Sequence, residues 1–176
     1  MTDEAITLTG PEMYAAKAVA LQIQLGKEKT KVANRRICSR DDLQINLEGQ
    51  LGEVAVCSYL GLDYCPEVHL HGDGGVDYRY RGSSLQVKSS QTNYLLFQDK
   101  KQMNCDYAIL CAPSRDKPNL VFIRGWIDCG EWFELNREME RIPGVISYGV
   151  SRELLHPIDK LDNEITCKTK KQTKKD

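Results

Sequence analysis

Four side chains in the middle of the sequence have the types and spacing for phosphate chemistry: Glu53 in EGQLGEVAVCSYLG, Asp77 in GDGGVDYRY, and Gln86 with Lys88 in SLQVKSS. Strand side chains alternate between faces, so Gln86 and Lys88 share one face and Val87 turns to the core. The RGSS turn predicts an antiparallel hairpin that brings Asp77 to the Gln86 end of its neighbour. Glu53 shares a helix stripe with the small residues Gly49 and Gly52 and with Val56, which leaves room for close approach. Two carboxylates, an amide and an amine are therefore expected together. Magnesium takes hard oxygen ligands, commonly one or two carboxylates with water and phosphate, and Asp77 and Glu53 can supply them. Gln86 adds a neutral carbonyl oxygen. Gly72, Gly74 and Gly75 predict a tight loop beside the site, where phosphate could approach. Asp73 in that loop is a rival ligand, although Asp between glycines is more often a turn residue.

The elements that must position these residues follow from periodicity and breakers. Thr9 or Gly10 before Pro11 and Glu12 starts a first helix that runs to about Gly26. Ser39, Asp41 or Asp42 caps a second, in which Leu43, Leu47, Leu51, Val54 and Ala55 recur at helical spacing and Gly61 ends the run. YCPEVHL, GVDYRY and SLQVKSS predict a three-stranded meander. Asn93 to Gln102 suits a short helix, and DYAILCAP and NLVFIRGWI are two further strands joined by SRDKP. Beyond Trp126 a short helix is expected before Arg141, then VISYGVSRELLHPIDKL as an extended piece with a packing turn.

Composition narrows the class. The chain has 176 residues, 41% of them hydrophobic and 28% charged, which suits one soluble domain. No stretch approaches the roughly 20 apolar residues of a membrane span. The acidic start, Met1 to Gly10, lacks the character of a secretory leader, so a cytoplasmic location is expected. Seven cysteines, an odd number without a CxxC pair, argue against a disulfide framework or a zinc ribbon. Net charge is −1, yet Lys27, Lys29, Lys31, Arg35, Arg36 and Arg40 cluster in one segment, a basic arm or loop over 27–40 suited to phosphate contact. The tail over 168–176 repeats the bias and reads as a disordered segment. Tyr78, Tyr80, Arg79 and Arg81 suit either a nucleic-acid groove or plain sheet surface. Cys65, His69 and His71 could ligate zinc, but the spacing is not standard and a fourth ligand is missing. A cysteine acting with His156 lacks a nucleophile context.

Taken in order, helix, three strands, helix and strand, with Asp77 on the second strand and Gln86-x-Lys88 on the third, the segment from about Leu43 to Pro113 resembles the PD-(D/E)XK nuclease superfamily. It resembles the variant with glutamine where a carboxylate usually stands, and restriction endonucleases and Holliday-junction resolvases share the architecture. The resemblance implies an α/β (α+β) fold with an αβββαβ core, a central mixed sheet flanked by helices, over residues 1–167. It implies catalytic Glu53, Asp77, Gln86 and Lys88, and a Mg2+ or Mn2+ ion held by Asp77, Gln86, Glu53 and the Val87 backbone carbonyl. It further implies hydrolysis of DNA phosphodiester bonds, with RNA open as a substrate, by a homodimer as in many relatives; a phage or mobile-element origin would fit. Glutamine in place of a carboxylate removes a negative charge and leaves two alternatives: a working nuclease, or a catalytically silent module of the same fold that binds nucleic acid or serves assembly.

Overall fold

The computed structural model describes residues 2–30, 41–64 and 75–172, with the side chains of 30, 141, 142 and 169–172 set aside. Helix α1 spans Gly10–Thr30. A capping box starts it: the Thr9 N–H and hydroxyl each donate to Glu12 Oε2 at 2.7 Å, and the Thr9 N–H holds the Glu12 carboxyl below its ordinary pKa. The helix continues past Gly26, so Lys27 and Lys29 belong to its last turn. Helix α2, Asp42–Leu60, is capped as its sequence predicts. The Asp41 carboxylate accepts from Leu43 N at the start, and Gly61 ends the helix at φ 66° with its N–H on the Cys57 carbonyl.

Strands β1 (Glu4–Thr7), β2 (Tyr78–Tyr80), β3 (Ser83–Ser89), β5 (Tyr107–Pro113) and β6 (Leu120–Asp128) form one sheet in the order β1-β6-β5-β3-β2. A second sheet orders β4 (Tyr94–Phe97), β8 (Val145–Ser151) and β7 (Arg137–Ile142). Helices α3 (Cys129–Leu135) and α4 (Leu161–Gln172) complete a mixed α+β fold. Every pairing is antiparallel except β3 with β5, which is parallel. Among the described residues no helix is long and apolar enough to cross a membrane.

Two apolar clusters lie on opposite faces of the larger sheet. Helices α1, α2 and α4 close one face over Leu85, Val87, Ile109 and Cys111. The second sheet and α3 close the other over Ala108, Leu110 and Ile127, where Phe97 meets Trp132 edge to face at 5.1 Å. Strand β5, buried at all of its positions, separates the two.

Several expectations need correction. Asn93 to Gln102 is not a helix but β4 followed by a 310 turn at Lys100–Gln102. Leu95 and Phe97 alternate with the less buried Tyr94 and Leu96, a period of two, and β8 supplies the backbone partners. Strands β1 and β7 and helix α4 add to the sequence reading. Residues 168–172, read as part of a disordered tail, are the end of α4, where Lys168 reaches Asp128 and Glu164 at 3.6 Å each. Most of YCPEVHL lies outside the described residues.

Candidate active site at the edge of the sheet

The β2–β3 hairpin fixes the geometry. Its two central turn residues, Arg81 at φ 49° and Gly82 at φ 85°, both take the left-handed region that primed hairpin turns require. Arg81 is held there by Asp162 at 3.1 Å, and Tyr80 donates to the same carboxylate at 2.8 Å. Tyr78 then pairs with Leu85, which places Asp77, one residue earlier, opposite Gln86. The Asp77 N–H donates to the Leu85 carbonyl, and its Oδ2 accepts from Val87 N at 2.6 Å. The carboxylate thus takes the ladder amide that β2 is too short to reach. A strand residue directs its N–H and C=O to the same side, so the Val87 carbonyl also projects toward this edge.

Gln86 and Lys88 lie on the face toward the second sheet, as alternation predicts. Gln86 is 3% exposed. With its amide turned to satisfy both ends, Nε2 donates to the Gln102 carbonyl at 3.1 Å and Oε1 accepts from Lys88 Nζ at 3.0 Å. The Lys88 ammonium also sits over the Phe97 ring, 5.3 Å from its centroid. Gly75, at φ 86°, passes close by: a Cβ there would lie 3.1 Å from the Gln102 carbonyl and 3.3 Å from the Gln86 side-chain amide.

Glu53 is on the other face of β3. Its Oε1 accepts from Gln50 Nε2 at 2.8 Å and its Oε2 from the Tyr78 hydroxyl at 3.2 Å, while the Tyr64 hydroxyl donates to Gln50. Burial, reinforced by the Glu53 charge, pushes the Tyr78 and Tyr64 phenols well above their ordinary range, and burial pushes the Cys57 thiol up to about 11. Burial likewise raises the Cys105 thiol to about 12, and the Asp77 charge adds to the rise. Of the expected quartet, Asp77 stands opposite Gln86 in the hairpin and Lys88 bonds to Gln86, while Glu53 accepts from Gln50 and Tyr78 on the α2 side. Helix periodicity showed which residues share a stripe with Glu53; which sheet face that stripe meets was not in it. Among the described residues no three His, Cys, Asp or Glu side chains converge as a metal centre.

The remaining candidates divide. Lys27 donates to Asn46 at 3.4 Å and ties α1 to α2, and Lys29 is exposed at the end of α1. Lys31, Arg35, Arg36 and Arg40, with Cys65, His69, His71, Gly72, Asp73 and Gly74, lie outside the described residues. Tyr78, Tyr80 and Arg81 brace the hairpin, which leaves Arg79 exposed on it. His156 pairs with Glu131 at 2.7 Å and packs on Trp126 at 4.7 Å. It lines a cavity of about 360 Å3 with Trp126, Asp128 and Cys167. Sequence reasoning missed Phe97 and the Gln102 carbonyl; the period-two burial of YLLF was the available signal for Phe97. Comparison with protein-family models, with curated proteins and with solved structures finds no match to this chain.

Proposed function

We propose that the chain is a metal-dependent nuclease of the PD-(D/E)XK type that hydrolyses DNA phosphodiester bonds at the β2–β3 edge. The observation that carries this reading is the meeting of Asp77, Gln86 and Lys88 on a hairpin whose second strand runs parallel to β5. The donors at the edge fit a hard cation: the Asp77 carboxylate and the Val87 carbonyl are both oxygen and both serve the same side of β3, and Gln86 brings a third oxygen nearby. Asp77 and the Val87 carbonyl would hold Mg2+ or Mn2+. When bound, the ion supplies charge to polarise the phosphate and lowers the pKa of a bound water.

The chain's own residues do the positioning. Val87 N fixes the Asp77 carboxylate, so the ligand is set before any ion arrives. Gln86 is neutral, so its hydrogen bond orients the Lys88 ammonium without cancelling its charge. That ammonium can stabilise the negative charge that develops on phosphate, a contribution of several kcal/mol in a preorganised site. Glu53, with both oxygens accepting hydrogen bonds, secures β2 against α2.

The test is cleavage of supercoiled, linear, single-stranded and four-way-junction DNA, with an RNA control, in Mg2+, Mn2+ or EDTA. Metal-dependent cleavage that disappears in folded Asp77→Ala and Lys88→Ala is expected. The rival reading, a silent nucleic-acid-binding module, draws on the position of Glu53, which leaves the edge with one described carboxylate. DNA binding without cleavage in any metal, and no rise in melting temperature on adding Mg2+ or Mn2+, would establish the rival instead.

A further inference from the structure

Lys88 is not the only ammonium seated on an aromatic ring of the second sheet. Phe97 and Tyr148 are direct cross-strand partners of β4 and β8. Their Cβ atoms are about 5 Å apart and their side chains share the face that looks onto the larger sheet. Lys88 Nζ lies 5.3 Å from the Phe97 centroid, and Lys100 Nζ lies 4.8 Å from that of Tyr148. Two neighbouring rings thus each carry one lysine, brought from different elements: Lys88 from β3, Lys100 from the 310 turn after β4. The same turn presents the Gln102 carbonyl to Gln86, and the Asp99 side chain fixes it by accepting from Lys101 N at 2.9 Å.

Among the described residues no carboxylate forms an ion pair with either lysine. Two ammonium groups seated on cross-strand rings without a carboxylate partner favour an anion beside them. Phe97 is 2% exposed and Lys100 is exposed, so the pair runs from the inner edge of the site to its surface. A polyanion with regularly spaced charges fits a line of this kind better than a single small anion does.

We propose that Lys88 and Lys100, seated on the Phe97–Tyr148 pair, form a two-ammonium track for the DNA phosphate backbone, with Tyr148 a positioning residue for Lys100. The proposal rests on the nuclease reading and names the path by which its substrate enters. Full-length protein is titrated against fluorescent duplex DNA in EDTA at several salt concentrations, which separates binding from metal and from turnover. Lys100→Ala is expected to weaken binding roughly three- to tenfold near 0.1 M salt and to flatten the slope of log K against log salt by about 0.9, one phosphate contact. Tyr148→Phe keeps the ring and should match wild type. Tyr148→Leu should weaken binding by less than Lys100→Ala, and Lys160→Ala, an exposed lysine beside the His156 cavity, should change nothing. Wild-type affinity and slope in Lys100→Ala, in a protein that binds DNA, would overturn the track and leave the nuclease reading intact. A wild-type protein that neither binds nor cleaves DNA would overturn both.

Discussion

The two faces of β3 treat charged side chains in opposite ways. On one, Leu85 and Val87 pack against α2, and the nearby Glu53 carboxylate accepts hydrogen bonds on both oxygens from Gln50 and Tyr78. On the other, the Lys88 ammonium rests between a neutral amide oxygen and the face of Phe97. The first arrangement uses the charge within the fold; the second orients a charge that pairs with no described carboxylate. Residue type alone therefore does not separate scaffold from site. The chemistry of the immediate partners does.

The largest effect should come from Lys88→Met, which keeps the apolar stem against Phe97 and removes the ammonium. DNA cleavage should fall at least about a hundredfold, as for loss of one preorganised donor, with the thermal midpoint little changed. Cleavage near the wild-type rate would end the functional side of the comparison. Gly52→Ala probes the closed face. An added Cβ would collide with the buried Ser89 hydroxyl and lie 3.2 Å from Cys111 Cβ. Overpacking should cost about 1 to 3 kcal/mol in chemical denaturation, more than the helix propensity gained.

Glu53→Gln should cost about 1 kcal/mol of stability through a weakened hydrogen bond to Tyr78, and cleavage should stay within about tenfold of wild type. A folded Glu53→Gln protein without cleavage would place Glu53 in the site and break the comparison. The smallest effect is a pH dependence with one thiol on each face. Burial raises Cys57 to about 11 and Cys105 to about 12 from an ordinary 9.0. The folded chain then keeps protons that the unfolded chain has lost, so this stability is complete below about pH 9 and declines as pH rises toward those values. Melting temperature should drop between about pH 8.5 and 10.5, and Cys57→Ala or Cys105→Ala should each make the decline shallower.

Much of the site was legible because it is local. The caps of α2, the hairpin turn within RGSS, and the shared face of Gln86 and Lys88 are set by residues within a few positions of one another. Steric limits on φ and the fixed periods of helix and strand are enough to specify them. The strand at Tyr94–Phe97 was read as helix because its partner, β8, lies far along the chain. Nothing local distinguishes a short apolar run that will pair from one that will coil. The partners of Glu53, Gln50 and Tyr78, were not legible for a related reason: a helix stripe records which side chains travel together, while the docking of α2 onto one face of the sheet records where they go. Sequence determined the local geometry of the hairpin and its residues. Tertiary structure decided which face Glu53 occupies and which rings support the lysines, because those contacts depend on elements that meet only when the whole chain has packed.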